Sequence, residues 1–227
     1  MTSRFAALAC ISLALSTLMC SKDRSSMSPK IKSVTVELKL SGPMYQGTFY
    51  TGFLPRTDYG IWVVDADQKY VKTLKITTEA VSVGQYQHCD HLPAWMASSG
   101  ITYAQLQQET GGQEGVAPSF DAISNASPYF AADSVQIFTC TWDLTDRNGA
   151  QVKSGTYLVF AEAANITKSD PVVYTIDAEH TSARIDLVRG TIESAASTAN
   201  IRSLTATFNL NEAAPSAKAS GTILGPN

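Results

Sequence analysis

From Ser33 to Leu40 the chain reads SVTVELKL, and the alternation is complete. Val34, Val36, Leu38 and Leu40 fall on one side of an extended chain; Thr35, Glu37 and Lys39 fall on the other. A strand sends successive side chains to opposite faces, so this segment has one face for a core and one for water. Similar short runs follow: YGIWVV from residue 59, KYVKTLKI from 69, SVQIFTCTW from 134, GTYLVFAEA from 155, PVVYTIDA from 171, ARIDLVR from 183 and SLTATFNL from 203. They are rich in the β-branched and aromatic residues that fit a pleated surface. YGIWVV is apolar on both faces and suits a central strand. The turn formers DADQ, residues 65 to 68, return the chain into KYVKTLKI, which predicts a hairpin over 59–76.

The middle of the chain differs. HLPAWMASSG has Pro93 at a helix start and Gly100 at its end. TYAQLQQETGG pairs Thr102 with Gln105 three residues on, a capping-box spacing, and Gly111 and Gly112 stop it. Residues 92–110 are therefore expected as one or two short helices. Residues 111–134 read as a long polar loop, a length that is uncommon inside a compact domain. The expected architecture is mainly β: an Ig-like antiparallel β-sandwich with a short helical insertion at about 92–110. Its core should draw on Val34, Val36, Leu38, Ile61, Val63, Leu74, Ile137, Tyr157, Val159, Ile185 and Phe208. In the last strand Leu204, Ala206, Phe208 and Leu210 share a face.

The first twenty residues read as a targeting segment. Arg4 is the positive start, and Phe5 to Met19 carries no charge and is short for a membrane span. The run ends at Cys20, the pattern of a bacterial lipoprotein signal, in which the cysteine takes a lipid and becomes the new N-terminus. Met19 departs from that pattern, which favours a small residue there. The expected layout is residues 1–20 as signal, 21–30 as a flexible tether, 31–211 as one β-sandwich domain and 212–227 as a disordered tail. Such a chain is exported to the bacterial cell envelope, as a periplasmic or surface lipoprotein, and meets a membrane through its anchor. Cys10 and Cys20 belong to the signal, which leaves Cys89 and Cys140. These either pair as a disulfide or remain two buried thiols; their spacing does not decide.

Several functions are disfavoured. A net charge of −3 gives no broad surface for nucleic acid. G-x-S-x-G, H-E-x-x-H, G-x-G-x-x-G and the phosphate-binding G-x-x-x-x-G-K-[ST] are all missing. HCDH, residues 88–91, groups competent metal ligands, but neighbours in sequence seldom all face one ion, and no metal site is expected. Asp143 and Asp146 fall in turns; Leu144 stands where a calcium loop needs an acid, and Asn148-Gly149 is a favoured turn pair. His180, in DAEHTS, reads as part of a polar turn. Asn165-Ile166-Thr167 matches a glycosylation sequon, discounted because the signal is bacterial in type.

Four segments, YGIWVVDADQKYVKTLKI, HLPAWMASSG, DAISNASP and TWDLTDRNGAQVKSGTYLVFAEA, occur in order between residues 59 and 163. Together they resemble a family of predicted periplasmic proteins, a domain of unknown function often encoded beside or fused to FAD:protein FMN transferases. The last segment is also similar to the Ig-like domain of flagellar hook-capping proteins, a likeness of fold rather than of function. The family loop resembles sites where FMN is esterified to a Ser or Thr hydroxyl. That resemblance implies Ser127 as the acceptor, with Asp121, Ser124 and Ala126 also matching; Asn125 stands where the pattern has Gly. Trp95 or Tyr129 is the aromatic that would stack on the ring. The alternative for the same stretch is a polar turn whose Asp and Ser side chains bind nearby amides.

The expectation that follows is a non-enzymatic extracytoplasmic lipoprotein, a binding or accessory module of a membrane-associated flavin or redox system. Its partners would be membrane redox proteins or a flavin transferase, and it would need no cofactor of its own. The first alternative is an electron carrier with covalent FMN on Ser127. The second is a structural or adhesive module of the cell envelope.

Overall fold

The alternation in Ser33–Leu40 decides which way the first strand faces, and that strand decides the orientation of its neighbours. In the structure, a computed structural model that describes residues 31–41, 56–81, 91–110, 134–169 and 173–210, β1 (Ile31–Ser41) is the middle strand of a three-stranded sheet. β4 (Val135–Trp142) and β8 (Ile201–Leu210) flank it, both antiparallel. A second sheet runs β3-β2-β5-β6-β7, again antiparallel throughout. Its strands are β2 (Arg56–Asp65), β3 (Tyr70–Ile76), β5 (Thr156–Ser169), β6 (Val173–Asp186) and β7 (Thr191–Glu193). The two sheets pack face to face as a β-sandwich.

Val34, Val36, Leu38 and Leu40 project from β1 into the space between the sheets and are fully buried. Tyr59, Ile61 and Val63 of β2 and Val159 of β5 meet them. Ala161, Ala163 and Ala183 are the small members of this layer, leaving room for the bulkier residues opposite. Trp142 and Tyr157 close one end, ring centroids 5.1 Å apart and edge-on. Trp142 Nε1 donates to Thr145 O at 2.9 Å, and the Tyr157 hydroxyl to Lys153 O at 2.7 Å, so both aromatics bury their rings without stranding a donor.

The outer face of the larger sheet carries a second core of Trp62, Val64, Ile76, Leu92, Trp95 and Leu106. Two helices build its cover, α1 (Pro93–Ser99) and α2 (Tyr103–Thr110). The stop and start signals in the sequence are used. Pro93 opens α1, and Gly100 closes it in a left-handed conformation with φ of 69°, its amide donating to Met96 O at 3.0 Å. Thr102 and Gln105 form the reciprocal box: Gln105 N donates to Thr102 Oγ1 at 3.3 Å, and Thr102 N to Gln105 Oε1 at 2.8 Å. Gly60 permits the approach of the helical layer, since a Cβ there would stand 3.3 Å from Leu92 Cδ1. Trp62 Nε1 donates to Ser98 Oγ and Trp95 Nε1 to Thr73 Oγ1, both at 2.9 Å, fastening α1 to the sheet.

The hairpin over 59–76 is present, with Asp65 Oδ1 accepting the amides of Asp67 and Lys69, both at 2.9 Å. Two sequence expectations are corrected. Ile137 is 57% exposed and lies outside the core. β4 has apolar residues in both parities, and its pairing with β1 selects Phe138, Cys140 and Trp142, which stand opposite Leu38, Val36 and Val34; Ile137 pairs with Lys39 on the solvent side. His180 lies in no turn: the VYTIDA and ARID portions of the two runs belong to one strand, β6, with DAEHTS inside it. A continuous backbone ladder to β5 holds those polar residues extended, which their side-chain pattern does not reveal. Leu210, at the end of β8, is 48% exposed, whereas Ala206 and Phe208 are half-buried against the core.

The two ends of the sandwich differ. At one end Ile31 pairs with Leu210, and tight turns follow β2, β4 and β6. An aspartate organises each turn: Asp65, Asp146 and Asp186 each accept two backbone amides through Oδ1. At the other end stand Ser41, Arg56, Val81, His91, Ser134, Ser169 and Val173, the described residues that border 42–55, 82–90, 170–172 and the end of 111–133. We term these the turn end and the connection end. The assignment of faces is tested by two substitutions. Ile61→Ala should cost about 2–5 kcal/mol in urea unfolding, because a fully buried side chain is lost. Ile137→Ala should stay within about 0.5 kcal/mol of wild type. Equal losses would place Ile137 inside and overturn the orientation of β4.

Candidate functional site

Polar groups enter a protein interior only with partners, so a concentration of them marks a place where the fold has been constrained for something besides burial. Here that place is the connection end. Asp58 and Glu162 are 0% and 1% exposed, and His91 is 4% exposed. Thr57, Thr77 and Asn165 are buried beside them in the same half of the larger sheet. The turn end is closed instead by Trp142 and Tyr157.

Asp58 stands on the helix-facing side of β2, one pleat above Gly60. His91 is the last residue but one before α1. Its Nδ1 lies 2.6 Å from Asp58 Oδ2, and because a carboxylate has no proton to give, Nδ1–H is the donor. Thr77 Oγ1 donates to Asp58 Oδ1 at 3.1 Å and accepts the Tyr59 amide at 3.3 Å; the Thr77 amide donates to Tyr59 O at 3.0 Å. The cluster ties three pieces of chain together: β2, the segment leaving β3, and the entry to α1. On the opposite face of β2, Thr57 Oγ1 donates to Asn165 Oδ1 at 2.8 Å. Asn165, the sequon asparagine, is thus 6% exposed and engaged.

Glu162 performs a task that the local sequence of α1 leaves undone. Leu92 occupies the N-cap, and its apolar side chain makes no cap hydrogen bond. Glu162 reaches up from β5, and its two oxygens accept the amides of Ala94 at 2.9 Å and Trp95 at 2.8 Å. Burial pushes this carboxyl above its ordinary 4.5; the two amides and His180, its cross-strand neighbour on β6, pull it back only in part. Beside it an aromatic row crosses the sheet. Trp62 and Phe160 stack at 5.3 Å, and Phe160 and His180 lie 6.3 Å apart.

Most residues singled out by the sequence lie outside the described residues: Cys20, Cys89, Asp121, Ser124, Ser127 and Tyr129, together with His88 and Asp90. Cys140 is described. It faces the interior from β4 opposite Val36, burial pushes its thiol up to about 12 against a small opposing pull from Lys75, and it has no disulfide partner among the described residues. Trp95 is corrected: it is fully buried with its indole N–H on Thr73, and its faces are taken by the second core. Asp143 is committed to its turn, accepting the Thr145 amide at 3.1 Å and the Thr145 hydroxyl at 2.6 Å. Among the described residues no group of three or more His, Cys, Asp or Glu is placed to hold a metal ion.

Sequence reasoning passed over Asp58 and Glu162. The signal was available: each is a lone acid in a run that is otherwise small or apolar, DYGIWVV and YLVFAEAA. A charge in such a run is either at an edge or specifically partnered.

Removing the imidazole leaves a buried carboxylate with less to hold it. His91→Ala should therefore cost about 3–5 kcal/mol in chemical denaturation. Asp58→Asn in the same background should recover part of that loss, and no recovery would show that the pair is not coupled. Glu162 carries a pH signature. A folded carboxyl that holds its proton more tightly than the unfolded one stabilises the fold while protonated, and that contribution is lost as pH rises from 4.5 through the raised value. Glu162→Gln does not titrate. Across about pH 4 to about pH 8 the difference in Tm should move in favour of the variant. A constant difference would remove the burial argument.

Among the described residues no helix is long and apolar enough to cross a membrane. Comparison of the chain with protein-family models, with curated proteins and with solved structures gives no match.

Proposed function

We propose that the chain is a non-catalytic binding or accessory module of the bacterial cell envelope, held to a membrane by a lipid on Cys20 and serving a membrane-associated flavin or redox system. The observation that carries the module reading is the polarity of the sandwich. β1 begins and β8 ends at the turn end, and the partnered buried polar groups collect at the connection end. Residues 21–30 would reach at most about 35 Å from the lipid. Such a tether sets the turn end toward the membrane and offers the connection end to partners. The assignment to a flavin or redox system rests on the family resemblance.

Two experiments test this. Cys20→Ala should release the protein from the membrane fraction or block its processing, because the acyl chains that would hold it firmly have no cysteine to attach to. A variant still cleaved and membrane-bound would refute the anchor. A photo-crosslinking residue placed at Ser134 or Asp177 should capture a partner in the native host, and one at Asn148 should not. Capture at Asn148 alone would reverse the orientation.

A second reading is covalent FMN on Ser127, which would make the isoalloxazine a tethered redox group. It is favoured by the ordered match of Asp121, Ser124, Ala126 and Ser127, and by the position of Ser134, seven residues after Ser127, at the connection end where Val135 pairs with Ser41. After co-expression with a flavin transferase in the export compartment, the wild type should gain the mass of FMN and a visible absorbance, both lost in Ser127→Ala. An unmodified wild type retires this reading; an adduct that survives the substitution moves the site, with Ser124 next.

A further inference from the structure

We draw no further inference here: the strongest candidate, the outer edge of β6 over residues 173–178, where the cover given by residues 191–200 ends at Glu179, is a strand edge without a neighbour among the described residues, and nothing in the structure shows what covers it.

Discussion

Burial of β2 on both faces is the constraint from which the rest of the structure follows. Tyr59, Ile61 and Val63 face the smaller sheet; Trp62 and Val64 face the helices; none is more than 2% exposed. Each such side chain contributes about 1.5–3 kcal/mol when removed from water. That gain requires a layer on either side, and neither layer is self-sufficient. The smaller sheet has three strands and one apolar face. The helices have seven and eight residues, well below the length of about 12–15 at which isolated helices become even marginal. They are helical because β2 needs a cover, and Pro93, Gly100 and the Thr102–Gln105 box settle where they begin and end.

A cover over a sheet must also hold its register, and apolar contact alone is poorly directional. The polar bonds supply direction. Glu162 fixes the first turn of α1, Ser98 and Thr73 receive the indoles of Trp62 and Trp95, and Asp58 fixes the entry at His91. The bonds differ in cost. Indole to hydroxyl is a neutral pair. Glu162 and Asp58 bring charge into the interior, and a buried ionic group is weak evidence for stability but places its partners narrowly. Both acids lie in the half of the sheet nearer the connection end, where chain segments from β3 and from the start of α1 converge. On β6 of the same sheet Glu179 acts similarly, its Oε1 accepting from Thr198 Oγ1, Asn200 N and Ile201 N and so locating the crossing from β7 to β8.

The sandwich, the 59–76 hairpin, both helices and the Asn148-Gly149 turn were legible because each is written in local terms: period, caps and turn residues. Ile137 was misread for a physical reason. SVQIFTCTW offers Val135 and Ile137 in one parity and Phe138, Cys140 and Trp142 in the other, and only pairing with Val34, Val36 and Leu38 decides between them. His180 was misread because strand status inside DAEHTS comes from its backbone partners on β5. The buried acids were missed for a related reason. Asp58 and His91 are 33 residues apart, and Glu162 meets Trp95 across 67, so the partners that make these charges tolerable are invisible to any local window. The candidate site suggested by DAISNASP falls outside the described residues, and the buried cluster found in its place carries no sequence motif.

The same division between local and long-range encoding separates the two ends of the sandwich. The turn end is a set of independent local solutions, each with one aspartate folding its own side chain onto its own backbone, at Asp65, Asp146 and Asp186. Such turns tolerate change in their neighbours because each satisfies itself. The connection end is held by contacts between distant strands, so a change at Asp58 or Glu162 is felt at the helix entry. An end built that way presents its bordering segments from a fixed frame. That is what a binding module requires, because preorganised attachment points lower the ordering cost paid when a partner arrives. Under the proposed tether from Cys20, the membrane would meet the end made of self-contained turns, and the partner would meet the end whose geometry is set by the core.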